Sequence, residues 1–421
     1  MDKIIRNSVI QGHIDAPASK SMTIRALAAA SLSPGESIIS DYSTCDDALA
    51  ALDIIKALGS EINKNEKIIK VIGGKIHNIG KDSSTSSRMT LNCRESAFCL
   101  RLFSAIASVY ALAFELVAEK SLLQRRTKYI DDVLIELGAE CITNNGYPPI
   151  KIQGHLIGGN IKLDGSNSSQ FLSGLLFSLP LAKNDSTIEV TNLKSKPYID
   201  LTMDVLSKFG IEIQNENYEL FKIKGEQSYS PANLKIEGDW SCASNFLVAG
   251  AINGEIEIGN LRLDSLQGDK AIIDLLSDIG AEVTPSDNTI KVCSKELRQF
   301  EFDAGDRPDL VPILTVLGCF CEGESIISDI SRLTGKESSR AEIIAKELNS
   351  LGAKIKLDED CLRIEKSLLH GGNVNSHGDH RIAMALAIAG LSSSEPVIIE
   401  NVECVSKSYP DFWEDFEKVT Q

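Results

Sequence analysis

The residues best suited to chemistry lie near the start of the chain, where a polar loop runs directly into an alanine-rich helix. Residues 16–25 read Ala-Pro-Ala-Ser-Lys-Ser-Met-Thr-Ile-Arg and are followed by further alanines. Ser19 or Ser21 can cap this helix, and the backbone N–H groups of its first turn attract anions. Lys20 and Arg25 add positive charge at the same end. The pattern is typical of a phosphate or carboxylate site, and equally of a capped helix with solvated cations.

The same arrangement, a polar loop followed at once by an apolar helix, recurs along the chain. The clusters are Ser166-Asn167-Ser168-Ser169-Gln170, Ser195-Lys196-Pro197-Tyr198-Ile199-Asp200, Asp306-Arg307-Pro308-Asp309, Gly335-Lys336-Glu337-Ser338-Ser339-Arg340, Gly378-Asp379-His380-Arg381 and Ser406-Lys407-Ser408-Tyr409-Pro410-Asp411. Each cluster alone is more often a helix cap, a salt-bridged turn or, for the tyrosine, part of a core. Because they fall at equivalent ends of a repeating unit, capping alone does not explain them.

The composition indicates an ordinary globular protein and excludes several classes of function. With 421 residues, 43% hydrophobic and 24% charged, the chain is long enough for two or three domains. A net charge of −16 argues against nucleic acid and acidic membrane surfaces as partners. No apolar run is long enough for a membrane span or has the form of a signal peptide. The ten cysteines lack metal-ligand spacing, which predicts free thiols, no metal site and a cytoplasmic location.

Two repeated phrases reveal the organisation of the chain. A helix-ending glycine followed by a strand recurs at residues 59, 138, 210, 280 and 352, with spacings of 79, 72, 70 and 72 residues. The heptapeptide Gly-Glu-Ser-Ile-Ile-Ser-Asp occupies residues 35–41 and again residues 323–329, which are 288 positions later. Weaker versions of this strand bring the number of copies to six. The sequence therefore predicts two domains of three α/β units.

The same reading predicts the individual elements. One strand is expected at residues 2–14, and the helix after the first polar loop is expected to end near Pro34. A crossing between the two halves is expected within residues 228–239. Further helices are predicted at residues 46–58, 96–110, 129–137, 168–179, 199–209, 241–251, 269–279, 310–321, 339–351 and 380–391.

Taken together, these motifs resemble the 5-enolpyruvylshikimate-3-phosphate (EPSP) synthase family of enolpyruvyl transferases. Each motif is weak alone, but the combination is highly specific and follows the family order over nearly the whole chain. The matching residues are Ser19-Lys20-Ser21 with Arg25, Ser168-Ser169-Gln170, residues 195–200, Pro308-Asp309, Lys336-Glu337 with Arg340, Asp379-His380-Arg381 and Lys407.

The resemblance implies an activity and a fold. The activity is transfer of the enolpyruvyl group of phosphoenolpyruvate to the 5-hydroxyl of shikimate 3-phosphate, with release of phosphate, by a monomer that needs no metal or organic cofactor. The fold is a two-domain inside-out α/β barrel built from six βαββαβ repeats, three per domain, that closes over the substrates. The domains are expected at residues 17–237 and, discontinuously, at residues 1–16 with 238–421.

The resemblance also implies roles for individual residues. Asp309 would take the proton of the attacking hydroxyl, and either Glu337 or Lys20 would protonate the methylene carbon of phosphoenolpyruvate. The residues expected to hold shikimate 3-phosphate are Ser21, Arg25, Ser168, Ser169, Ser195, Tyr198 and Lys336. Those expected around phosphoenolpyruvate are Lys20, Arg125, Arg340, Arg381 and Lys407, with Gln170 touching both substrates.

Some positions depart from the family pattern. Glu95 and Ala97 stand where the family usually has asparagine and glycine in its phosphoenolpyruvate loop, and Arg332 replaces an asparagine upstream of the Lys-Glu motif. The Arg-Pro pair of the family is replaced by Arg125-Arg126, so either arginine can fill the family position. Because the Ala97 methyl group and the bulky residue after it would crowd the loop, we expect weak binding of the inhibitor glyphosate.

Two alternative functions remain open at this point. The related transferase that acts on UDP-N-acetylglucosamine shares the repeat fold, but the cysteine that it normally carries is absent from residues 118–126. A noncatalytic anion-binding scaffold of the same fold is the other alternative, because the loop around Glu95 and Ala97 is altered.

Overall fold

The computed structural model describes residues 1–74, 88–127 and 129–420. They form two compact units. The amino-terminal unit is Ser19–Ile236, and the carboxy-terminal unit combines Met1–Ala18 with Glu237–Gln421. All ten cysteines lie in the described ranges, where each is a free thiol.

The strands and helices alternate along both units. In chain order the strands are β1 (Asp2–Ile5), β2 (Ile10–Asp15), β3 (Gly35–Ser40), β4 (Glu61–Lys64), β5 (Ile68–Gly73), β6 (Met89–Asn92), β7 (Ala113–Val117), β8 (Ala139–Asn144), β9 (Tyr147–Gly154), β10 (Asn160–Asp164), β11 (Ser186–Thr191), β12 (Ile213–Glu216), β13 (Leu220–Ile223), β14 (Asn233–Lys235), β15 (Gly254–Gly259), β16 (Glu282–Ser286), β17 (Thr289–Cys293), β18 (Glu301–Asp303), β19 (Glu324–Ser328), β20 (Lys354–Leu357), β21 (Cys361–Glu365), β22 (Gly372–Asn375) and β23 (Val397–Glu400). The helices are α1 (Lys20–Leu32), α2 (Asp46–Ala57), α3 (Ala97–Ala107), α4 (Ile130–Glu136), α5 (Gln170–Ser178), α6 (Lys196–Lys208), α7 (Trp240–Ile252), α8 (Ile272–Asp278), α9 (Val311–Gly318), α10 (Arg340–Ser350), α11 (His380–Gly390) and α12 (Phe412–Val419).

The described strands form six small sheets that share one topology. Five of them have four strands, in the orders β14-β3-β5-β4, β6-β7-β9-β8, β10-β11-β13-β12, β2-β15-β17-β16 and β18-β19-β21-β20. The first pair in each order is parallel and the next two pairs are antiparallel. The sixth sheet, β22-β23-β1, keeps the parallel and the first antiparallel pair.

The duplicated heptapeptide forms equivalent strands in the two units. In β3 the inward residues are Ser37 and Ile39, and in β19 they are Ser325 and Ile327, all fully buried. Both strands are second in the order of their sheets. The two copies of the heptapeptide therefore bury the same side chains and pair in the same way. This follows from the strand geometry, in which successive side chains point to opposite faces.

Helices, rather than sheets, occupy the interior of each unit. In α1, α3 and α5 of the amino-terminal unit, and in α7, α9 and α11 of the carboxy-terminal unit, nearly every residue is buried. Small residues allow these helices to approach closely, because a Cβ atom at Gly174 of α5 would lie 2.9 Å from the carbonyl oxygen of Arg101 in α3. Helices that are apolar on all sides are expected to be buried in this way.

The structure corrects parts of the element prediction. The single strand predicted at residues 2–14 is wrong, because β1 and β2 pair in two different sheets. The helix predicted from residue 199 begins at Lys196, and the one predicted from residue 269 begins with a 3-10 turn, Gly268–Ala271, before α8. Helix α12 had no counterpart in the prediction. The other predicted helices are present, and none of their ends is shifted by more than three residues.

Candidate active site

The first polar loop forms the predicted helix start. Ser19 caps α1 by accepting a hydrogen bond from the backbone N–H of Met22, at 3.4 Å. Lys20 is the first helical residue, and its Nζ lies 3.3 Å from Oδ2 of Asp47 at the start of α2. The Asp47 side chain is only 7% exposed. Lys20 therefore sits beside a buried carboxylate that the sequence reading did not identify.

Arg25 is buried inside the amino-terminal unit and is held from several sides. Its Nε donates to Oγ1 of Thr202, at 2.9 Å, and its two terminal nitrogens donate to the carbonyl oxygens of Ser21 and Tyr198, both at 3.0 Å. The Phe98 ring covers the guanidinium, with 4.4 Å from Cζ to the ring centroid. Burial lowers the pKa of Arg25 to about 9. Among the described residues no carboxylate pairs with it, so this cation is available to an anionic ligand.

The starts of α5 and α6 contribute the predicted hydroxyl groups. Ser168 accepts from the backbone N–H of Gln170, at 3.1 Å, while Ser169 and Ser195 are buried at the N-cap positions of α5 and α6 without a side-chain capping bond. The Gln170 Oε1 atom accepts from Nη1 of Arg101, at 2.8 Å. Because the amide oxygen of Gln170 binds Arg101, the amide nitrogen faces away from Arg101.

The altered loop at residues 95–98 leads into α3. Ser96 caps this helix by accepting from the backbone N–H of Cys99, at 3.3 Å, and Ala97 is its first residue. Glu95 binds Lys120 and Ser121, at 3.0 and 3.2 Å. The bulk that was expected to crowd this loop, the ring of Phe98, lies on Arg25 instead.

The two arginines that compete for one family position differ in exposure. Arg125 follows the 3-10 turn Lys120–Gln124 and is half-buried. Arg126 is exposed, and its side chain lies against Gly146. The surroundings of Arg125 are thus the better suited to holding a ligand.

In the carboxy-terminal unit, Arg340 gathers three carboxylates. Its Nε donates to Asp379 at 2.8 Å, its Nη1 to Asp309 at 2.7 Å and its Nη2 to Glu337 at 2.6 Å. The Arg340 side chain is 2% exposed. Burial alone would lower its pKa, but the three carboxylates raise the pKa well above the ordinary value. Arg340 therefore stays charged and fixes Asp309 and Glu337 relative to each other.

Two further cations border these carboxylates. Arg381 at the start of α11 contacts Oδ2 of Asp309 through Nη2, at 3.5 Å, and the Nζ of Lys407 lies 3.6 Å from Oε1 of Glu337. Both cations are buried. The Nε and Nη1 atoms of Arg381 are buried and have no hydrogen-bond partner within the described residues. Buried guanidinium groups normally have all their hydrogen bonds made. The two donors of Arg381 that have no partner in the described part of the chain are therefore suited to binding an oxyanion.

Two titratable groups near Asp309 have shifted pKa values. Burial lowers the pKa of Lys336 to about 8, although Asp309 opposes the shift. Burial and the charge of Asp309 raise the pKa of Asp269 to about 7, although Ser241 donates a hydrogen bond to it. Such shifts cluster where charges converge, which is a property of functional sites.

The structure brings some of the predicted residues into contact within each unit. In the amino-terminal unit, contacts join Ser21, Arg25 and Tyr198; in the carboxy-terminal unit, they join Asp309, Glu337, Arg340, Arg381 and Lys407. The sequence analysis did not identify Asp47, Arg101, Thr202 or Asp269. It expected Phe98 only as bulk in the loop, and it assigned Asp379 no role in the site. Asp47, Thr202 and Asp269 interact with predicted residues that are distant in the sequence, so no local motif marks them.

The side chains of these two groups are suited to binding anionic substrates and to transferring protons to and from them. The carboxy-terminal unit offers the partly buried carboxylates of Asp309 and Glu337 as proton acceptors or donors and several fixed cations as anion ligands. In the part of the chain that the structure describes, no group of three His, Cys, Asp or Glu residues is arranged to hold a metal ion. None of the helices described there is long and apolar enough to cross a membrane.

Comparison with known proteins identifies the family. Residues 5–416 match the family model described as EPSP synthase (3-phosphoshikimate 1-carboxyvinyltransferase). A curated relative of that name from Clostridium perfringens strain SM101 is 42% identical, over 99% of this chain and 98% of its own length. Another, from Clostridium botulinum strain Alaska E43, is 39% identical over 97% of this chain and 94% of its own.

Solved structures show the same fold. EPSP synthase from Acinetobacter baumannii matches with a TM-score of 0.84 at 24% identity, covering 100% of this chain and 98% of that one. The enolpyruvyl transferase NikO from Streptomyces tendae matches with a TM-score of 0.77 at 19% identity, covering 99% and 97%. The predicted inside-out α/β barrel fold is thereby confirmed. Since the family match spans almost the whole chain and curated relatives cover it from end to end, the chain belongs to the EPSP synthase family of 3-phosphoshikimate 1-carboxyvinyltransferases.

Proposed function

We propose that the buried charged residues of the two units are the substrate ligands of this transferase. The enzyme transfers the enolpyruvyl group of phosphoenolpyruvate to the 5-hydroxyl of shikimate 3-phosphate and releases phosphate. The observation that supports the assignment best is the group of carboxylates and cations around Arg340. It combines partly buried proton-transfer groups with buried cations that can bind oxyanions.

In the amino-terminal unit, the proposed ligands of shikimate 3-phosphate lie at the starts of three helices. Arg25 is a buried cation without a carboxylate partner in the described residues, and hydroxyl groups at the starts of α5 and α6 can donate to phosphate oxygens. The full proposed set is Ser21, Arg25, Ser168, Ser169, Ser195, Tyr198 and, from the other unit, Lys336.

For phosphoenolpyruvate, we propose cations from both units. The unsatisfied donors of Arg381 suit its phosphate or carboxylate oxygens. Arg340 is already bound to carboxylates. It would therefore hold Asp309 and Glu337 in place and would also attract phosphoenolpyruvate through its charge. The full proposed set is Lys20, Arg125, Arg340, Arg381 and Lys407, with Gln170 contacting both substrates.

The proposed chemistry is addition followed by elimination. Asp309 takes the proton of the 5-hydroxyl as its oxygen attacks C2 of phosphoenolpyruvate, and either Glu337 or Lys20 delivers a proton to the methylene carbon. The resulting tetrahedral adduct then loses phosphate as a proton leaves the methyl group, which regenerates the enol ether. Arg340 and Arg381 stabilise the charge that moves during these steps.

Four further expectations stay proposals. We propose domains at residues 17–237 and at residues 1–16 with 238–421, and a monomer that acts in the cytoplasm. The buried free thiols agree with a reducing compartment. Weak inhibition by glyphosate also stays a proposal, now supported only by Ala97 at the start of α3.

The experiment is an assay of phosphate release with each substrate omitted in turn. We expect release only with shikimate 3-phosphate and phosphoenolpyruvate together, and none with UDP-N-acetylglucosamine as the acceptor. Asp309→Ala, Glu337→Ala and Lys20→Ala should each lower kcat by about two orders of magnitude or more while ligand binding falls less. Unchanged turnover in the Asp309 and Glu337 variants would refute the catalytic assignment, and absence of turnover in the wild-type chain would favour a noncatalytic scaffold.

A further inference from the structure

Helix α10 contacts the loop before α11 at two places. Its first residue, Arg340, binds Oδ2 of Asp379. Seven residues later, Glu347 contacts the same loop. Seven residues are about two helical turns, or roughly 10 Å along the axis. The loop is therefore attached to α10 at two well-separated points.

Glu347 uses both of its carboxylate oxygens in this contact. Oε2 accepts a hydrogen bond from the backbone N–H of Asn375, at 3.0 Å, and Oε1 lies 2.9 Å from Nε2 of His377. The carboxylate is buried, with 8% of its side chain exposed, whereas that of His377 is 34% exposed. The exposed Lys346 also approaches Oε1, at 3.5 Å. A buried carboxylate with two well-placed donors is a strong anchor, because charge-assisted hydrogen bonds exceed neutral ones in strength.

The residues between the two points need such an anchor. His377 has a φ of +53°, a conformation that is unfavourable for residues with a side chain. Ser376 ties the loop on its other side by donating to the carbonyl oxygen of Asn401, at 2.8 Å. The next residues lead directly to Asp379, which caps α11 by accepting from the backbone N–H of Arg381, at 2.9 Å. The position of Arg381 therefore depends on how this loop is held.

We propose that Glu347 and His377 are positioning residues for the transferase reaction. By holding residues 375–379 against α10, they place Asp379 for its contact with Arg340 and place Arg381 for binding phosphoenolpyruvate. Neither residue belongs to the proposed sets of substrate ligands. The proposal rests on the proposed roles of Arg340 and Arg381, and it adds to them two residues about two helical turns away from Arg340.

The test compares kinetics for each substrate in His377→Ala and Glu347→Gln. We expect the KM for phosphoenolpyruvate to rise roughly tenfold in each variant, because small displacements of a binding group are costly, while the KM for shikimate 3-phosphate stays within about twofold. His377→Gln keeps a donor that can reach Glu347, so it should recover most of the lost affinity. His370→Ala is the matched control, since this exposed histidine lies in the same unit and its ring contacts the carbonyl oxygen of Gly371.

Two outcomes would overturn the proposal. One is a KM for phosphoenolpyruvate within about twofold of wild type in both variants. The other is an equal rise of both KM values together with a lower thermal midpoint, which would indicate a merely structural role. Arg381→Ala separates this failure from failure of the proposed function. If Arg381→Ala raises the KM for phosphoenolpyruvate and His377→Ala does not, only the proposed positioning role is refuted. If neither variant raises this KM, the assignment of Arg381 as a phosphoenolpyruvate ligand is refuted as well.

Discussion

At the scale of single residues, the surroundings shift the pKa values of neighbouring cations in opposite directions. Lys336 and Arg340 are four residues apart, yet burial lowers the pKa of Lys336 to about 8, whereas the carboxylates around Arg340 outweigh burial and raise its pKa. The contrast follows from direct pairing, because Arg340 makes three short ion pairs. Among the described cations around Asp309, Lys336 is therefore the one whose charge responds to moderately alkaline pH.

This difference predicts the pH dependence of substrate binding. Since the pKa of Lys336 is lowered, its ammonium group is charged below about pH 8 and becomes neutral above it. If Lys336 holds shikimate 3-phosphate, the KM for this substrate should be constant near pH 7 and should rise above pH 8, by up to about tenfold per pH unit. Steady-state kinetics between about pH 6.5 and pH 9.5 measure this directly.

Lys336→Arg is the control for that prediction. Arginine has a higher ordinary pKa than lysine, so the part of the rise in KM that begins near pH 8 should disappear in this variant, whereas the contribution of Arg25, whose pKa is lowered to about 9, should remain. An identical alkaline rise in the Lys336→Arg variant would assign the titration to another group and contradict the prediction.

At the scale of elements, one hydroxyl group connects three helices of the amino-terminal unit. Oγ1 of Thr202 in α6 accepts from Nε of Arg25 in α1, at 2.9 Å, and lies 2.9 Å from Oγ of Ser173 in α5. It also donates to the carbonyl oxygen of Tyr198, at 2.8 Å. The three helix starts that carry the proposed shikimate 3-phosphate ligands are thus joined through a single buried side chain.

Replacing Thr202 with valine should therefore destabilise the amino-terminal unit and lower its affinity for shikimate 3-phosphate. The change keeps the shape but leaves the buried Nε of Arg25 and the Ser173 hydroxyl without this partner, which costs about 1–3 kcal/mol of unfolding free energy. Urea denaturation measures this loss, and the KM for shikimate 3-phosphate should rise as Arg25 loses its support.

Thr315→Val offers a matched control in the carboxy-terminal unit. Thr315 is equally buried, but its hydroxyl donates only to the carbonyl oxygen of Val311 in its own helix, at 2.7 Å. Its loss should cost about 1 kcal/mol or less and leave both KM values unchanged. Equal destabilisation by the two substitutions would show that the contacts of Thr202 between helices add nothing.

The element prediction succeeded where a local pattern fixes the structure. The helix-ending phrase works because Gly59, which follows α2, has a φ of +88°, a conformation that glycine adopts without strain. It failed at residues 2–14, where alternation continues but the pairing partners change from β23 to β15. Alternation indicates a strand and does not specify its sheet, so this break was not predictable from local sequence.

At the scale of the whole molecule, the candidate site residues could be predicted because the repeat marks equivalent helix starts. Arg340 and Arg381 were predicted from their motifs, although the chain as a whole carries a net charge of −16. Their partners were not predictable in the same way. Thr202 is 177 residues from Arg25, and the contact becomes visible only when the helices are packed. Sequence motifs thus identify the charged groups, whereas the fold decides which groups hold them in place.

The separation of proposed ligands between the two units predicts where each substrate protects the backbone. Shikimate 3-phosphate alone should slow amide hydrogen exchange most in the first turns of α1, α5 and α6, because a bound ligand suppresses local opening at its contacts. The first turn of α11 should change less until phosphoenolpyruvate or an unreactive analogue is added. Arg25→Ala should abolish the first effect at the same ligand concentration. Stronger protection of α11 than of α1 by shikimate 3-phosphate alone would contradict the assignment, because Arg381 at the start of α11 is proposed to bind the other substrate.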